Sequence, residues 1–141
     1  MKIAFTTSDK VHINAHFGWA RIIEVYQISD EGYQFLETLS FGGELKEDGN
    51  EDKLLPKLKA LQDCTIVYVS AIGGSAAARL INKGVTPVKA REESDEIKEV
   101  LERLVQTLKG NPPPWLRKAL QKKDRNFEDE LEDELEEDAT A

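Results

Sequence analysis

The chain has 141 residues, of which 40% are hydrophobic and 33% are charged, and its formal net charge is −8. This length fits a single domain, and no segment approaches the roughly 18 apolar residues of a transmembrane helix, so a membrane-spanning protein is excluded. The one cysteine, Cys64, excludes an intrachain disulfide and is compatible with a reducing compartment. Because the opening residues "MKIAFTTSDK" show no signal-peptide pattern, we expect a cytoplasmic protein with no membrane partner.

The acidic charge is concentrated at one end of the chain. Residues 124–141 hold ten of the 27 acidic residues and one of the 19 basic ones, so residues 1–123 carry a net charge of +1. A nucleic-acid-binding protein needs a basic face, and an acidic tail repels phosphates, so we expect no nucleic-acid partner. The acidic run is typical of a solvated, disordered tail.

Three strands are predicted in the first 41 residues. "KIAFTT" (2–7) alternates polar and apolar residues, and "ARIIEVYQIS" (20–29) is β-branched and aromatic. The turn signal "DEG" separates the second strand from "YQFLETLSF" (33–41), which predicts an antiparallel meander followed by a polar loop (42–52). The residues of the second strand expected to pack on the sheet are Ile23, Val25, Tyr26 and Ile28.

Helices and strands alternate in the next part of the chain. "DKLLPKLKALQ" (52–62) predicts a helix with Pro56 in its first turn, where a missing N–H is tolerated. "CTIVYVS" (64–70) has the continuous apolar character of a strand that is covered on both faces. The residues expected on the apolar face of the helix are Leu54, Leu55, Leu58 and Leu61.

The same alternation continues to residue 110. "GGSAAARLINKG" (73–84) predicts a helix that ends at Gly84, and "VTPVKA" (85–90) predicts a short strand that Pro87 places at a sheet edge. "SDEIKEVLERLVQTLKG" (94–110) predicts a helix with Ser94 as N-cap, acidic residues in its first turn and a glycine at its end.

The order of these elements predicts the fold class. The order βββαβαβα joins an antiparallel meander to a parallel part, so we expect an α/β protein with a three-layer α/β/α mixed sheet of about five strands and a ribonuclease H-like topology. Residues 1–109 form the predicted domain. Residues 110–123 read as a Pro-rich spacer with a short basic helix, and residues 124–141 as the acidic tail.

The stretch "VHINAHFGWA" (11–20) contains both histidines of the chain, His12 and His16. A neutral ring nitrogen of histidine ligates transition metals, which makes this loop a candidate metal site. We expect Phe17 and Trp19 to anchor the loop on the sheet so that His16 projects from a fixed base. The same arrangement also suits a structural hinge.

A second candidate, "SAIGGSAAAR" (70–79), falls at the carboxyl end of a strand and the start of a helix. Ligands bind outside the carboxyl ends of parallel strands, where helix N-terminal N–H groups face an anion. Gly73 and Gly74 allow close backbone approach, although tight packing between helix and sheet explains the small residues equally well. If strands one and four are neighbours, this turn and the histidine loop lie along the same sheet edge.

These residues give little support for an enzymatic function. Ribonuclease H-like nucleases need several carboxylates on central strands to hold Mg²⁺, whereas strand one offers an acid only at Asp9 and strand four offers none. Ser8, His16 and Asp9 have the residue types of a catalytic triad, but nothing in their spacing supports one. Cys64 precedes a buried strand at its amino end, which predicts a packed thiol.

Two long segments of the chain resemble a known family. "MKIAFTTSD…VHINAHFGWA…IIEVYQIS…GYQFLE" and "IVYVSAIGGSAAARLINKGVTPVK" together resemble the NifX/NafY family of accessory proteins for biosynthesis of the nitrogenase iron–molybdenum cofactor. The resemblance covers roughly residues 1–109, and it is specific because "HFGWA" and "SAIGGSAAAR" occur in this order on this pattern of elements.

This resemblance implies a non-catalytic carrier for nitrogen fixation. Such a carrier transiently binds the iron–sulfur precursor of the iron–molybdenum cofactor, the NifB cofactor, and has NifB as donor and the NifEN scaffold as acceptor. By match to the family's HFG motif, His16 becomes the leading metal ligand, with His12 ranked below it. The other residues that the resemblance assigns to cofactor binding are Gly18, Ser70, Gly73, Gly74 and Arg79.

The chemistry of a carrier agrees with this assignment. A sulfide-rich cluster is an anion, which helix-start N–H groups and Arg79 hold through hydrogen bonds and charge. One or two protein ligands also suit release better than four thiolates do.

Two further functions remain open on the residues alone. One is a small-anion or nucleotide-binding regulatory module that uses the helix start at residues 70–79 without a metal. The other is a protein-interaction adaptor whose acidic tail docks on basic surfaces of a partner. Visible absorbance separates both from the carrier, because bound iron–sulfur species are coloured.

Overall fold

A computed structural model describes residues 1–41, 54–92 and 94–123 of the chain. The strands are β1 (Lys2–Thr7), β2 (Ile22–Ser29), β3 (Gly32–Ser40), β4 (Ile66–Val69) and β5 (Thr86–Lys89). The helices are α1 (Leu55–Leu61), α2 (Gly74–Asn82), α3 (Ile97–Lys109) and α4 (114–123). The predicted order βββαβαβα is confirmed, and the predicted polar loop and acidic tail lie outside the described residues.

The five strands form one mixed sheet in the order β3-β2-β1-β4-β5. β1 pairs antiparallel with β2, and β2 with β3, whereas β1–β4 and β4–β5 are parallel. The antiparallel meander and the mixed sheet are therefore confirmed, as is the edge position that Pro87 predicts for β5. The likeness to the ribonuclease H-like topology stays a prediction.

Helices cover the sheet on both faces, because successive side chains of a strand point to opposite faces. On one face, Ile3 and Phe5 of β1 share a buried cluster with α3 and α4. On the other, Ala4 shares a cluster with α1 and α2. The predicted three layers are confirmed, and all four residues of β4 are buried as predicted. Of the predicted β2 packing residues, Ile23 and Val25 join the α1/α2 cluster, while Tyr26 and Ile28 join the α3/α4 cluster.

The start of α3 differs from the prediction. The helix begins at Ile97 after Glu96, whose backbone is extended, and no side chain caps it. Ser94 is not the N-cap; its hydroxyl donates to Glu92 instead, at 3.2 Å. The physical reason is the bridge between Glu96 and His12, which keeps the backbone extended beyond Ser94 and delays the helix. The predicted ends are confirmed: Gly110 caps α3, and Gly84 follows α2 with a φ of 79°.

Helix α1 has Pro56 in its first turn, as predicted. Leu58 and Leu61 are fully buried, but Leu55 is 40% exposed, so its predicted place on the apolar face is wrong. Lys57 takes that place with 2% exposure, because residues 54, 57, 58 and 61 share one side of a helix. Just beyond, Cys64 is a packed thiol as predicted, and burial raises its pKa to about 12.

No helix in the described ranges is long and apolar enough to cross a bilayer.

Candidate functional site

The two sequence motifs meet at the carboxyl ends of β1 and β4. These strands are parallel neighbours, with Phe5 opposite Tyr68. The loop between β1 and β2 (residues 8–21), here called the HFG loop, therefore runs beside the turn that follows β4. His16 forms a parallel bridge with Ala71, and the Phe17 N–H donates to the Ala71 carbonyl at 2.9 Å. The expected position of both motifs along one sheet edge is confirmed.

Two contacts fix the base of the HFG loop. The Thr6 hydroxyl on β1 donates to the Ala15 carbonyl at 2.7 Å, and the Ser70 N–H at the end of β4 donates to the same oxygen at 3.2 Å. Phe17 is fully buried in the α1/α2 cluster, so its predicted anchoring role is confirmed. Trp19 is 79% exposed, so its predicted anchoring role is wrong. The tight turn closed by the Trp19 N–H on the His16 carbonyl, at 3.1 Å, leaves that side chain in solvent.

His16 is partly buried, and its ring is held by the loop itself. The Gly18 N–H donates to His16 Nδ1 at 3.0 Å. Because a backbone N–H can only donate, Nδ1 is the acceptor, and the neutral ring carries its proton on Nε2. A Cβ at Gly18 would lie 3.4 Å from the Cε1 and Nδ1 of His16, so glycine leaves room for the ring. Nε2–H can donate to an anion as it stands, whereas metal ligation requires the bond from Gly18 to open.

His12 belongs to a different part of the molecule. Its Nδ1 lies 2.7 Å from Asp9 Oδ2, and it bridges to Glu96 at the start of α3. Asp9 Oδ1 also accepts the N–H groups of Val11 and His12, both at 2.8 Å. These hydrogen bonds, that of the His12 N–H first, hold the pKa of Asp9 well below its usual range, and the hydrogen bond to Asp9 raises the pKa of His12. His12 and His16 are thus held by different elements.

The start of α2 is open. Gly73 is the N-cap, with an extended backbone and no side-chain hydrogen bond to the helix. A Cβ at Gly73 or Gly74 would meet no atom within 4 Å, so both positions face free space. The first N–H groups of a helix have no partner within it, which leaves them available to an anion here.

Arg79 lies at the other end of α2. It belongs to the last turn of the helix and is partly buried. It lies five positions beyond Gly74, which is about 7.5 Å along the helix axis. The structure thus groups His16, Gly18 and Ser70 near the turn before α2, with Gly73 and Gly74 following that turn. Arg79 is set apart from this group.

The sequence did not point to Lys57, which lies beneath the HFG loop. Its ammonium donates to the carbonyls of Phe17 and Gly18 at 2.9 and 3.1 Å. It also lies 5.8 Å from the ring centre of Phe17 and 5.7 Å from that of Phe41. Burial lowers the pKa of Lys57 to about 8. The helical spacing of Lys57 from Leu54 and Leu61 was the signal that could have placed it on the buried face.

The described residues contain no group of three His, Cys, Asp or Glu side chains close enough to hold a metal ion together. A closed structural metal site is therefore absent from these parts of the chain. The donors near His16 are its own ring and the N–H groups at the start of α2.

The sequence profile of the family "Dinitrogenase iron-molybdenum cofactor" matches residues 1–107. The chain belongs to this family. It is 48% identical over 134 residues to protein NifX of Herbaspirillum seropedicae, covering 93% of this chain and 91% of that protein. It is 41% identical over 122 residues to protein NifX of Azotobacter vinelandii, covering 86% and 76%.

The chain is also similar to part of a larger protein, and its fold occurs in a solved structure. The chain is 33% identical over 87 residues to FeMo cofactor biosynthesis protein NifB of Bradyrhizobium diazoefficiens, covering 61% of this chain and 17% of that protein. The crystal structure of PH0822 has the same fold, with a TM-score of 0.58 at 22% identity, covering 75% of this chain and 89% of the other.

Proposed function

We propose that this family member takes part in iron–molybdenum cofactor biosynthesis as a non-catalytic carrier. Its cargo is the iron–sulfur precursor of that cofactor, the NifB cofactor, which it receives from NifB and passes to the NifEN scaffold. The observation that carries the proposal is the bridge between His16 and Ala71, which sets the HFG loop beside the glycine turn before α2. Membership of the family supports a cargo that belongs to this biosynthesis.

The residues at this edge of the sheet suit reversible binding of an anionic cluster. His16 offers an Nε2–H donor while Gly18 holds Nδ1, and it becomes an iron ligand when that bond opens. The uncapped N–H groups after Gly73 offer further donors and a positive dipole end. With no closed metal site in the described residues, the cargo stays free to leave for an acceptor.

The proposal is tested by anaerobic titration of the purified protein with isolated NifB cofactor, followed by gel filtration and then by addition of NifEN. We expect stoichiometric iron and visible absorbance to co-elute with the protein, and both to move to NifEN on mixing. A folded protein that carries no iron would contradict the carrier function. Iron that stays with the protein when NifEN is present would contradict the transfer step.

A second candidate is the small-anion module, which the free space at Gly73 and Gly74 favours. It predicts that inorganic phosphate shifts the amide signals of residues 74–76 in NMR spectra of the protein, and that NifB cofactor binds no better than phosphate does. The adaptor function would depend on the acidic tail, which lies outside the described residues. Removal of residues 124–141 tests it, because unchanged affinity for NifEN would exclude the tail as the docking element.

A further inference from the structure

A cavity of about 300 Å³ lies on the α3 face of the sheet, whereas Phe17, next to His16 in the HFG loop, packs on the α1/α2 face. It opens between the carboxyl ends of β4 and β5 and one side of α3, and the segment leading into α4 closes it. None of the residues assigned to cargo binding lines it. The lining residues are Tyr68, Val88, Lys89, Ala90, Arg91, Asp95, Val100, Arg103, Leu104, Thr107, Pro113 and Trp115.

The charge around this cavity is positive. Lys89, Arg91 and Arg103 line it, against the single carboxylate of Asp95. Asp95 accepts the backbone N–H of Arg91 at 3.1 Å, and within the described ranges none of the three cationic side chains forms an ion pair. Since residues 1–123 are close to neutral as a whole, this concentration of unpaired positive charge is local. It favours an anionic ligand.

Tyr68 brings a largely buried side chain to the wall of this cavity. Tyr68 is 9% exposed, and its ring stacks on Phe5 with centres 5.5 Å apart. Within the described residues no group forms a hydrogen bond with its hydroxyl, although buried polar groups are normally bonded. Arg103 lines the same cavity as Tyr68, and its positive charge acts against the rise in the pKa of Tyr68 that burial causes. The Arg103 guanidinium and the Tyr68 hydroxyl can both donate hydrogen bonds to an anionic oxygen.

The remaining walls are apolar. Val88, Leu104 and Pro113 line the interior, and Trp115 is 41% exposed, so part of its ring is open to solvent. A volume of about 300 Å³ equals that of about ten water molecules in the liquid. Such a space takes a small ligand with one polar end, as ligand pockets commonly do.

We propose that this cavity is a second binding site, which takes a small organic carboxylate with an apolar body. The carboxylate lies against Arg103 and the Tyr68 hydroxyl, because a guanidinium matches the two oxygens of a carboxylate with parallel hydrogen bonds. The apolar body lies against Leu104 and Trp115. Asp95 disfavours a doubly charged phosphate at the same place. This site is independent of the cargo proposal.

The test is an NMR titration of the ¹⁵N-labelled full chain with 2-naphthoate as a carboxylate probe. We expect saturable shifts of the Trp115 indole and of the Tyr68 amide, while the indole of Trp19 stays unchanged. The uncharged 2-naphthamide, of the same shape, is expected to bind at least about tenfold more weakly, because charge-assisted hydrogen bonds are the strong ones. No saturable shift with naphthoate, or equal affinity for the amide, overturns the proposal.

Two variants and a matched control locate the carboxylate. Arg103→Gln is expected to weaken naphthoate binding at least about tenfold, and Tyr68→Phe, which keeps the stacked ring, to weaken it severalfold. Lys98→Gln removes a charge from an exposed position of α3 that does not line the cavity, and binding should stay unchanged. An equal loss of naphthoate affinity in Lys98→Gln and Arg103→Gln would overturn the site, because the net charge of the protein alone would then explain the loss. Saturation by phosphate but not by naphthoate would overturn the ligand class.

Discussion

One hydrogen bond decides how His16 can act. With the Gly18 N–H on Nδ1, the neutral ring presents Nε2–H to the surroundings, and this proton suits a sulfide acceptor. Direct ligation of iron requires the ring to free a lone pair. Under the proposed function, the same residue would hold an anionic cargo loosely as a donor or firmly as a ligand. The sequence motif indicated His16, but the state of its nitrogens depends on a backbone turn that no residue pattern specifies.

The contact between His12 and Asp9 sets the pKa of His12, which leads to a prediction about the variant Asp9→Asn. In the variant Asp9→Asn we expect the pKa of His12 to fall towards its ordinary value of 6.5, because the hydrogen bond and charge that raise it are lost. NMR titration of the two imidazoles measures this directly. The signal of His16 serves as the internal control. A His12 pKa that is the same in both proteins would contradict the ion pair.

The same pair fixes the pH range in which it stabilises the fold. The pKa of His12 is raised on folding, so its contribution is complete below 6.5 and is lost as the pH rises through the folded pKa. The pKa of Asp9 is lowered from 3.8, so its contribution is present above that value and is lost as the pH falls through the folded pKa. The stabilisation by the pair is therefore greatest between about pH 4 and 6.5.

Among the elements, most strands and helices could be predicted because their signals are local. The alternation in β1, the apolar run in β4 and Gly84 after α2 depend on neighbouring residues alone. The predictions for Ser94 and Trp19 were wrong because a backbone contact sets each segment, a long-range bridge at Ser94 and a local turn at Trp19. The bridge between Glu96 and His12 displaces the cap of α3, and the turn at His16 sends Trp19 into solvent.

Helix α1 supports the HFG loop through Lys57, which leads to a prediction about stability. Lys57→Met keeps most of the side-chain length but leaves the carbonyls of Phe17 and Gly18 without their donor. We expect the free energy of unfolding to fall by about 1–3 kcal/mol, measured by urea denaturation. The matched control Lys59→Met, at an exposed position of the same helix, should change it by less than about 0.5 kcal/mol. Equal stability of both variants would show that the Lys57 contacts contribute nothing.

For the whole molecule, the segment after residue 110 adds to the core rather than only extending from it. Leu116 is fully buried and Ala119 nearly so, and both belong to the α3/α4 cluster. The sequence indicated a short amphipathic helix there, but periodicity shows only that a helix has an apolar face. Which surface that face covers depends on the path of the chain after Gly110.

Leu116 therefore offers a test of how the chain end contributes to the fold. Leu116→Ala should lower the free energy of unfolding by about 2–5 kcal/mol, because it leaves a cavity in a packed cluster. Lys118→Ala, at an exposed position of the same helix, should lower it by less than about 0.5 kcal/mol. Thermal or urea unfolding compares the two. A loss below about 1 kcal/mol for Leu116→Ala would mean that α4 does not pack on the core in solution.

The measurement that tests the carrier account most directly compares His16→Ala with His12→Ala in anaerobic binding of NifB cofactor. The two variants remove the same group from the same loop, and only His16 lies beside the turn before α2. We expect His12→Ala to bind the cofactor as the unaltered protein does, and His16→Ala to retain at most about a tenth of the affinity, which corresponds to the loss of one charged hydrogen bond or ligand. Equal binding by both variants would contradict the central role of His16.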